Sequence, residues 1–261
     1  MLVSIILMLS IGFLNGDIMS SHIFRESTPF NHLVIDNFFD KETANKIADD
    51  FPSFNSDFWF EYNNAIEVKK ACDMWCKFPK SIYKAIYDLT SEKFVNYLSD
   101  LVGRKVWADY GLNGGGIHSM SRGGKLNPHL DYNIHPKLGL QRKINLIVYL
   151  TKDWNPDWGG AIELWSHDEQ LKRPKKIEKT VDCLLNRALL FDTTQNSWHG
   201  ISDELNCPED ISRNSIAIYY VCEPEYNAED RGKALFAPTE KQKGDESVEE
   251  FIKKRVQGFY K

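Results

Sequence analysis

Residues 142–165 read RKINLIVYLTKDWNPDWGGAIELW, and their pattern is the clearest indication of the fold class. It contains two short apolar runs separated by a turn rich in tryptophan and proline, which ends in Gly159 and Gly160. Apolar runs of this length, bounded by turn residues, are typical of strands rather than helices. The stretch therefore predicts two strands joined by an aromatic turn.

Similar runs continue on both sides of this stretch. They are KVWADYG, GGIHSM, RALLFDT and NSIAIYYV. Helical spacing is absent from them, and their placement suits an all-β sandwich or barrel. We therefore assign residues 104–222 to a β-domain, and we interpret the polar, lysine-rich residues 167–180 within it as a solvated loop.

The chain before the β-domain has a more helical pattern. FNHLVIDNFF predicts a strand, and Asp40 can then cap a helix that continues to Phe51. Residues 79–101 predict a second helical region, with Gly103 at the position of a helix C-cap. We expect these elements to pack on the β-domain.

The two ends of the chain differ from its middle. Residues 2–14, LVSIILMLSIGFL, are almost continuously apolar, but thirteen residues are too few for a membrane-spanning helix. This stretch is either a signal or anchor segment, or it is an over-called start or a non-native extension. We therefore treat residues 1–20 as an apolar N-terminal extension and leave them out of the fold assignment. Residues 21–103 then hold the N-terminal strand and helices. Residues 223–261 form a charged tail, in which SVEEFIKKRVQGF predicts an amphipathic helix.

Charge and cysteine content exclude several classes of protein. The 261 residues carry a formal charge of −5, which disfavours strong binding to nucleic-acid phosphates. The five cysteines are odd in number and scattered, so they indicate core or half-buried thiols rather than a disulfide scaffold. The sequence indicates a compact protein with no nucleic-acid partner and no stable membrane span.

Three potential metal ligands lie in the β-domain. His129 and Asp131 form an H-x-D pair in NPHLDYN, and His199 follows in NSWHG. Residues i and i+2 of a strand project to the same face, so the pair can converge on one ion. A histidine from a neighbouring strand would complete the two-histidine, one-carboxylate face of non-haem Fe(II) oxygenases. Alone, H-x-D is a weak motif, and a surface histidine beside a solvated aspartate is the alternative interpretation.

Arg213 follows His199 by fourteen residues and opens the strand-like run RNSIAIYYV. From that position its guanidinium can hold a carboxylate beside the metal through two parallel hydrogen bonds. The alternative is an ordinary surface charge at the end of a strand.

Together these motifs are similar to the Fe(II)/2-oxoglutarate-dependent dioxygenases. The resemblance rests on HLD, RKINLIVYL, the tryptophan-rich turn ending in GG, IELW, WHG and R-x-S, and it covers residues 30–222. The prolyl-hydroxylase-like branch, which includes the ribosomal-protein prolyl hydroxylases, is the most similar. The resemblance implies a mainly β fold with N-terminal helices, a double-stranded β-helix (jelly roll) buttressed by α-helices.

The resemblance also implies the chemistry and its residues. Oxidative decarboxylation of 2-oxoglutarate to succinate and CO₂, with O₂ as the second cosubstrate and ascorbate as a stimulant, is coupled to hydroxylation of a substrate. The implied Fe(II) ligands are His129, Asp131 and His199. The implied 2-oxoglutarate contacts are Arg213, Tyr149, Ser215 and His118. Core packing is the alternative for Tyr149 and Ser215. The aspartate ligand argues against halogenation, because halogenases of this superfamily lack that carboxylate.

Two features depart from the collagen-type prolyl hydroxylases. Arg213 stands where those enzymes use a lysine, and the stretch ISDELNCPEDIS before it is longer than usual, which predicts a loop at the pocket mouth. Of the remaining polar and aromatic residues, Asn127 and Asn145 are candidate pocket residues, and Trp198 is better explained by core packing. His135 and His167 lie in polar stretches, and we interpret both as solvated.

The substrate class favoured by the resemblance is a prolyl residue in a protein or peptide. The alternatives are the same chemistry on a free amino acid or another small metabolite, a zinc hydrolase, and a non-catalytic, cupin-like binding module. Ferrous iron and unpaired thiols favour the cytoplasm. A secretory or membrane-anchored location follows instead if residues 2–14 are a genuine signal.

Overall fold

The structure is a computed structural model that describes residues 18–257. The apolar residues 2–14 lie outside this range, and so does the question of a signal or anchor there. Among the helices of the described region, none has the length and apolar character needed to cross a membrane.

The described residues form five α-helices and thirteen β-strands. The helices are α1 (Ile18–Glu26), α2 (Lys41–Asp49), α3 (Lys80–Leu89), α4 (Glu92–Val102) and α5 (Glu246–Val256). The strands are β1 (His32–Ile35), β2 (Phe60–Asn63), β3 (Glu67–Cys72), β4 (Trp107–Ala108), β5 (Gly116–Met120), β6 (Lys125–Leu130), β7 (Gln141–Tyr149), β8 (Ile162–Asp168), β9 (Arg173–Val181), β10 (Ala188–Asp192), β11 (His199–Ile201), β12 (Arg213–Cys222) and β13 (Leu235–Phe236).

Helix boundaries follow the capping residues of the sequence. Asp40 caps α2 by accepting a hydrogen bond from the Thr43 backbone N–H, as predicted. Gly103 ends α4 in the left-handed conformation with φ of 67°, which a residue without a Cβ adopts at little cost. The predicted helical region over residues 79–101 is confirmed and consists of two helices, because the Ser91 side chain caps a new helix by accepting a hydrogen bond from the Phe94 N–H.

The strands hydrogen-bond into one sheet that curls into a nearly closed, mainly antiparallel barrel, which confirms the predicted jelly-roll class. Its main path is β1-β10-β7-β12-β5-β3-β6-β11-β8-β9, with β2 beside β3, β4 beside β12 and β13 beside β6. The sheet thus includes strands from before residue 104 and after residue 222. The domain division at those residues remains a prediction.

Side chains of the central strands point alternately to the face that packs against the helices and to the barrel interior. On β7, Ile144, Leu146 and Val148 join the apolar cluster that also contains buried residues of α2, α3 and α4. The intervening Ile147 and Tyr149 pack in a different cluster, on the opposite face. Since strand side chains alternate between faces, β7 buries one face under helices and directs the other inward.

Residues 167–180 do not form the predicted solvated loop. They complete β8 and form most of β9, which pair as an antiparallel hairpin at one edge of the sheet. Most β9 side chains from residue 173 to residue 180 are exposed, so the strand lacks the apolar alternation that marks a half-buried strand. Lysines on an edge strand also discourage pairing with other chains.

The charged tail returns to the barrel. Its predicted amphipathic helix is α5, capped by the Asp245 side chain, and it buries Val248 and Ile252. These two side chains pack with Phe236 of β13 and with Ile66. The tail therefore forms part of the wall next to β6.

Candidate active site

The two histidines of the predicted triad face each other across a strand pair. His129 on β6 lies directly opposite His199 on β11, and their ring centroids are 4.2 Å apart. Asp131 follows immediately after β6, and candidate ligand atoms of all three residues lie within 4.8 Å of one another. All three side chains are buried. Sheet pairing thus joins residues that are about seventy positions apart in sequence.

Backbone hydrogen bonds orient both imidazoles in the same way. His129 Nδ1 lies 3.0 Å from the Asn127 carbonyl oxygen, and His199 Nδ1 lies 2.8 Å from that of Ser197. A carbonyl only accepts, so each Nδ1 carries the proton and each Nε2 keeps its lone pair. Both Nε2 atoms lie 3.8 Å from Asp131 carboxylate oxygens. Burial lowers the pKa of both histidines, so both are neutral and able to ligate a metal.

Asp131 is held by three side chains that reach it from β7 and β12. It accepts hydrogen bonds from Tyr219 Oη at 3.1 Å and Asn145 Nδ2 at 3.2 Å, and Arg142 Nη1 lies 3.3 Å away. Burial alone would raise the pKa of this carboxyl. The neighbouring Arg142 guanidinium and the hydrogen bond from the Tyr219 hydroxyl outweigh burial, and the pKa of Asp131 is lowered to about 2. Asp131 is therefore ionised near neutral pH.

Arg142 lies between two aromatic rings. Its guanidinium carbon is 3.2 Å from the ring centroids of both Tyr132 and Tyr219, and Nη2 donates to the Asn113 carbonyl at 2.8 Å. Stacking and hydrogen bonding hold this buried cation beside Asp131. Sequence reasoning missed Tyr219, although it lies an even number of residues after Arg213 and so on the same face of β12.

Aromatic rings pack against both histidines. Phe191 of β10 meets His199 edge-to-face at a centroid distance of 4.7 Å. Phe236 of β13 lies opposite His129 in register and stacks on it at 5.0 Å, with 19° between the ring planes. The C-terminal segment therefore helps to fix the imidazole of His129, a role that the sequence did not reveal.

The remaining predicted site residues lie together on three neighbouring strands. Ser215 of β12 lies opposite both Tyr149 of β7 and His118 of β5, so these three side chains share one face of the sheet. Arg213 lies two residues before Ser215 and shares that face. Asn145 and Tyr219, which contact Asp131, are also on this face, so the two groups of residues line the same interior. We call His129, Asp131 and His199 the triad end, and Arg213, Tyr149, Ser215 and His118 the arginine end.

The aromatic turn positions Arg213. Arg213 Nε donates to the Gly160 carbonyl at 2.7 Å, and Trp154 Nε1 donates to the Gly159 carbonyl at 3.0 Å. Gly160 has a φ of 79°, and a Cβ there would lie 3.0 Å from Arg213 Cδ. The second glycine of the GG pair therefore leaves room for the arginine side chain.

The arginine end contains polar groups that lack a full set of partners. Arg213 is 5% exposed, and no carboxylate within residues 18–257 forms an ion pair with it. The buried Tyr149 hydroxyl has no hydrogen-bond partner among the residues that the structure describes, and burial raises the pKa of Tyr149. The Tyr149 ring lies 4.8 Å from the Arg213 guanidinium carbon. Burial, and then the charges of Lys69 and Arg213, lower the pKa of His118 to about 3.

The other residues singled out in the sequence have different outcomes. Asn145 contacts Asp131, and Trp198 is a core residue, both as predicted. The Asn127 amide was assigned wrongly to the pocket, because it donates instead to Ala237 O and Gln242 Oε1 of the C-terminal segment. The stretch ISDELNCPEDIS buries Leu205 in the same cluster as Tyr149.

The interpretation of His135 and His167 as solvated is wrong. His135 is 3% exposed, its Nδ1 accepts two backbone N–H groups, and its Nε2 lies 3.4 Å from Asp109 Oδ2. His167 lies on β8 and accepts a hydrogen bond from Trp198 Nε1 at 2.9 Å. The polar residues around both histidines in the sequence predict exposure, and they give no sign of the contacts that the fold creates.

Comparisons with known proteins agree with this architecture. Residues 115–221, which contain both the triad end and the arginine end, match the model of the 2OG-Fe(II) oxygenase superfamily. A segment of 79 residues is 35% identical to the mouse (Mus musculus) prolyl 3-hydroxylase OGFOD1, and it covers 30% of this chain but only 14% of that protein.

Solved structures share the fold at low sequence identity. A prolyl-4-hydroxylase from Pseudomonas putida aligns with a TM-score of 0.55 at 13% identity, covering 79% of this chain and all of that one. A prolyl hydroxylase from Trichoplax adhaerens, solved with a hypoxia-inducible-factor peptide, aligns with a TM-score of 0.52 at 17% identity, covering 78% of this chain and 89% of that one. The chain is thus similar to the 2OG-Fe(II) oxygenase superfamily over residues 115–221, and its fold is that of the solved prolyl hydroxylases.

Proposed function

We propose that this protein is an Fe(II)-dependent dioxygenase that couples oxidative decarboxylation of 2-oxoglutarate to hydroxylation of a prolyl residue in a protein or peptide. The observation that carries this proposal is the pairing of two groups in one interior. Two neutral histidines and an ionised aspartate converge at one end, and a buried arginine lies at the other, without a carboxylate partner in the described part of the chain.

The triad end fits ferrous iron. Imidazole nitrogens and a carboxylate from three residues form a facial set that leaves coordination positions for a cosubstrate and O₂. Tyr219, Asn145 and Arg142 orient the Asp131 carboxylate, which is the support that a metal-ligating carboxylate needs. Bound iron would supply the oxidative chemistry, and the surrounding residues would orient the reactants and exclude water.

The arginine end fits the distal carboxylate of 2-oxoglutarate. Arg213 Nε donates to the Gly160 carbonyl, and the terminal nitrogens, of which Nη1 also makes a weak contact with Met120 Sδ at 3.9 Å, remain for a planar carboxylate. The unpartnered Tyr149 hydroxyl beside the guanidinium can donate to the same group. Ser215 and His118 share that face, and we assign them as further cosubstrate contacts. A zinc hydrolase or a cupin-like binding module would have no need for a buried, unpaired arginine at this place.

A prolyl substrate is supported by the 35% identity to a prolyl 3-hydroxylase over 79 residues. The alternative substrate is a free amino acid or another small metabolite, which would undergo the same reaction. The five free cysteines and the need to keep iron ferrous favour a reducing compartment, and we propose the cytoplasm.

The test measures succinate and oxidised substrate together. Purified protein is incubated with Fe(II), 2-oxoglutarate, ascorbate and prolyl peptides, and mass spectrometry follows succinate formation and the gain of one oxygen atom by a peptide. We expect both with Fe(II) and neither with Zn(II). Succinate without peptide oxidation would support the oxygenase and reject the prolyl substrate. Absence of succinate with every substrate, together with no Fe(II)-dependent binding of 2-oxoglutarate, would reject the proposed function.

A further inference from the structure

Lys69 lies on the interior side of β3, close to the triad end. β3 runs between β5 and β6, which carry His118 and His129. Ala71 lies opposite His118 in register, and Lys69 is two residues from Ala71, so it faces the same interior. The Lys69 side chain is 16% exposed, and its Nζ lies 5.2 Å from the ring centroid of Tyr62. This cation is therefore only partly solvated.

A chain of contacts connects Lys69 to a predicted iron ligand. Lys69 Nζ lies 3.4 Å from Glu67 Oε2, and Arg255 Nη1 of α5 lies 2.5 Å from Glu67 Oε1. The Arg255 guanidinium carbon is 4.8 Å from the ring centroid of Phe236, which stacks on His129. The charge of Lys69 also contributes, after burial, to the lowered pKa of His118. The positive charge of Lys69 therefore acts on groups inside the barrel.

The charges of Lys69, Glu67 and Arg255 do not sum to zero. Glu67 is 1% exposed and faces two cations, of which Arg255 has the shorter contact. Arg142 already pairs with Asp131, so the negative charge of Asp131 does not neutralise the positive charge of Lys69. Among residues 18–257, one carboxylate between two cations leaves a surplus positive charge in a poorly solvated wall, which costs free energy unless an anionic partner binds.

We propose that Lys69 is a specificity-determining residue that binds a carboxylate on the substrate, near the carbon that is hydroxylated. This inference rests on the proposed function and narrows its substrate to acidic ones. Two sources carry this chemistry, an aspartate or glutamate beside the target proline in a peptide, and the free carboxylate of an unblocked amino acid. Tyr62, which lies opposite Lys69 in the β2–β3 hairpin, would cover the aliphatic part of the same ligand.

Lys70 provides a matched control. It is the next residue of β3 and is also 16% exposed, but it lies opposite Ser119, on the other face of the strand. Its Nζ donates to the Phe54 carbonyl at 3.1 Å and lies 4.3 Å from the Phe54 ring centroid. Lys70→Met removes the same charge from the same strand without changing the interior.

The experiment compares substrates that differ in charge alone. One arm uses blocked peptides with a central proline flanked by aspartate or glutamate, by asparagine or glutamine, or by lysine. The second arm compares free L-proline with L-prolinamide. Succinate formation above the substrate-free background and oxygen incorporation are measured for wild type, Lys69→Met, Lys69→Glu and Lys70→Met, and the affinity for 2-oxoglutarate is measured in parallel.

In the wild type we expect kcat/KM to be about tenfold higher for a carboxylate than for its amide counterpart, as for one partly buried charge pair. Lys69→Met should remove most of this preference, Lys69→Glu should shift it toward the lysine peptides, and Lys70→Met should keep it. The arm that shows the preference identifies the source of the carboxylate.

Several results would overturn the role of Lys69 while leaving the oxygenase intact. These are equal use of acidic and neutral substrates by the wild type, an unchanged preference in Lys69→Met, oxidation of no carboxylate-bearing compound in either arm, or a loss of 2-oxoglutarate affinity in Lys69→Met without a change in preference. By contrast, a wild type that neither binds 2-oxoglutarate with Fe(II) nor forms succinate would reject the proposed function itself.

Discussion

The triad end and the arginine end of the interior are supported in different ways. At the triad end, each imidazole is oriented by a backbone carbonyl, and Asp131 is contacted by three side chains. At the arginine end, a buried guanidinium has no carboxylate partner among residues 18–257, and a buried hydroxyl has no hydrogen-bond partner. Buried polar groups are normally paired, so the exceptions need an explanation. The triad end is organised before any ligand arrives, whereas we propose that a ligand completes the arginine end.

The largest effect should follow from Asp131→Ala. Loss of one of three candidate ligands should weaken Fe(II) or Mn(II) binding by at least about 100-fold and abolish succinate formation. The change also leaves Arg142 buried without its carboxylate, which should lower the free energy of unfolding by roughly 3–5 kcal/mol. Metal titration and denaturant unfolding measure the two effects.

A double variant separates these two roles of Asp131. Asp131→Ala combined with Arg142→Met removes both charges, so it should recover stability relative to Asp131→Ala without recovering metal binding. Metal affinity near the wild-type value in Asp131→Ala would contradict the assignment of the triad end.

Arg213→Ala should act at the other end of the interior. Loss of one partner of a buried charge pair costs roughly 2–5 kcal/mol, so 2-oxoglutarate affinity should fall by tens- to thousands-fold while metal affinity stays near that of the wild type. Arg213→Lys should also weaken 2-oxoglutarate binding, because a lysine lacks the planar two-donor geometry. Anaerobic titration with 2-oxoglutarate and Fe(II) is the measurement, and equal affinities in wild type and Arg213→Ala would remove this residue from the cosubstrate site.

The pH dependence of stability should show the burial of His118. Burial and nearby cations lower its pKa from 6.5 to about 3, so above pH 6.5 the histidine is neutral in both folded and unfolded chains. As the pH falls below 6.5, the unfolded chain binds a proton that the folded chain does not, and stability decreases. Between pH 6.5 and pH 5 the loss is about 2 kcal/mol.

His118→Gln isolates this contribution from those of the other histidines. In the metal-free protein, the melting temperature of the variant should fall less than that of wild type between pH 7.5 and pH 5. Parallel pH profiles for the two proteins would show that His118 is not held neutral by the fold.

The smallest effect, and the sharpest test of the comparison, is expected from Tyr149→Phe. The substitution removes a hydroxyl that has no partner in the ligand-free protein, so stability without ligand should stay the same or rise by about 1 kcal/mol. Affinity for 2-oxoglutarate should fall by a factor that corresponds to about 0.5–1.5 kcal/mol. Thermal melts with and without 2-oxoglutarate measure both, and a variant that is less stable without ligand would show that the hydroxyl already has a structural role.

Local sequence patterns were sufficient to predict much of the secondary structure and one pair of metal ligands. The caps at Asp40 and Gly103 and the H-x-D spacing depend on neighbours within a few residues, so the sequence alone reveals them. The same holds for the strands on both sides of the aromatic turn, because runs of strand length bounded by turn residues are a local signal. Resemblance to a family then joined His199 and Arg213 to the same site.

Local patterns failed where a residue's environment comes from distant parts of the chain. The exposed, lysine-rich β9 has no apolar alternation, so its sequence predicts a loop although it forms a strand. The polar sequence neighbours of His135 predict a solvated side chain, yet the folded chain buries it and places its Nε2 3.4 Å from Asp109 Oδ2.

By itself, the sequence determined that His129 and Asp131 share one face of a strand, and its resemblance to a family implied the other residues of the two ends of the interior. The tertiary structure determined which side chains pack against these residues and which charges lie near them. The stack of Arg142 between Tyr132 and Tyr219 and the packing of Phe236 on His129 join residues 10 to 107 positions apart. Periodicity is a local property, whereas burial, ring stacking and charge balance depend on which strands the barrel brings together.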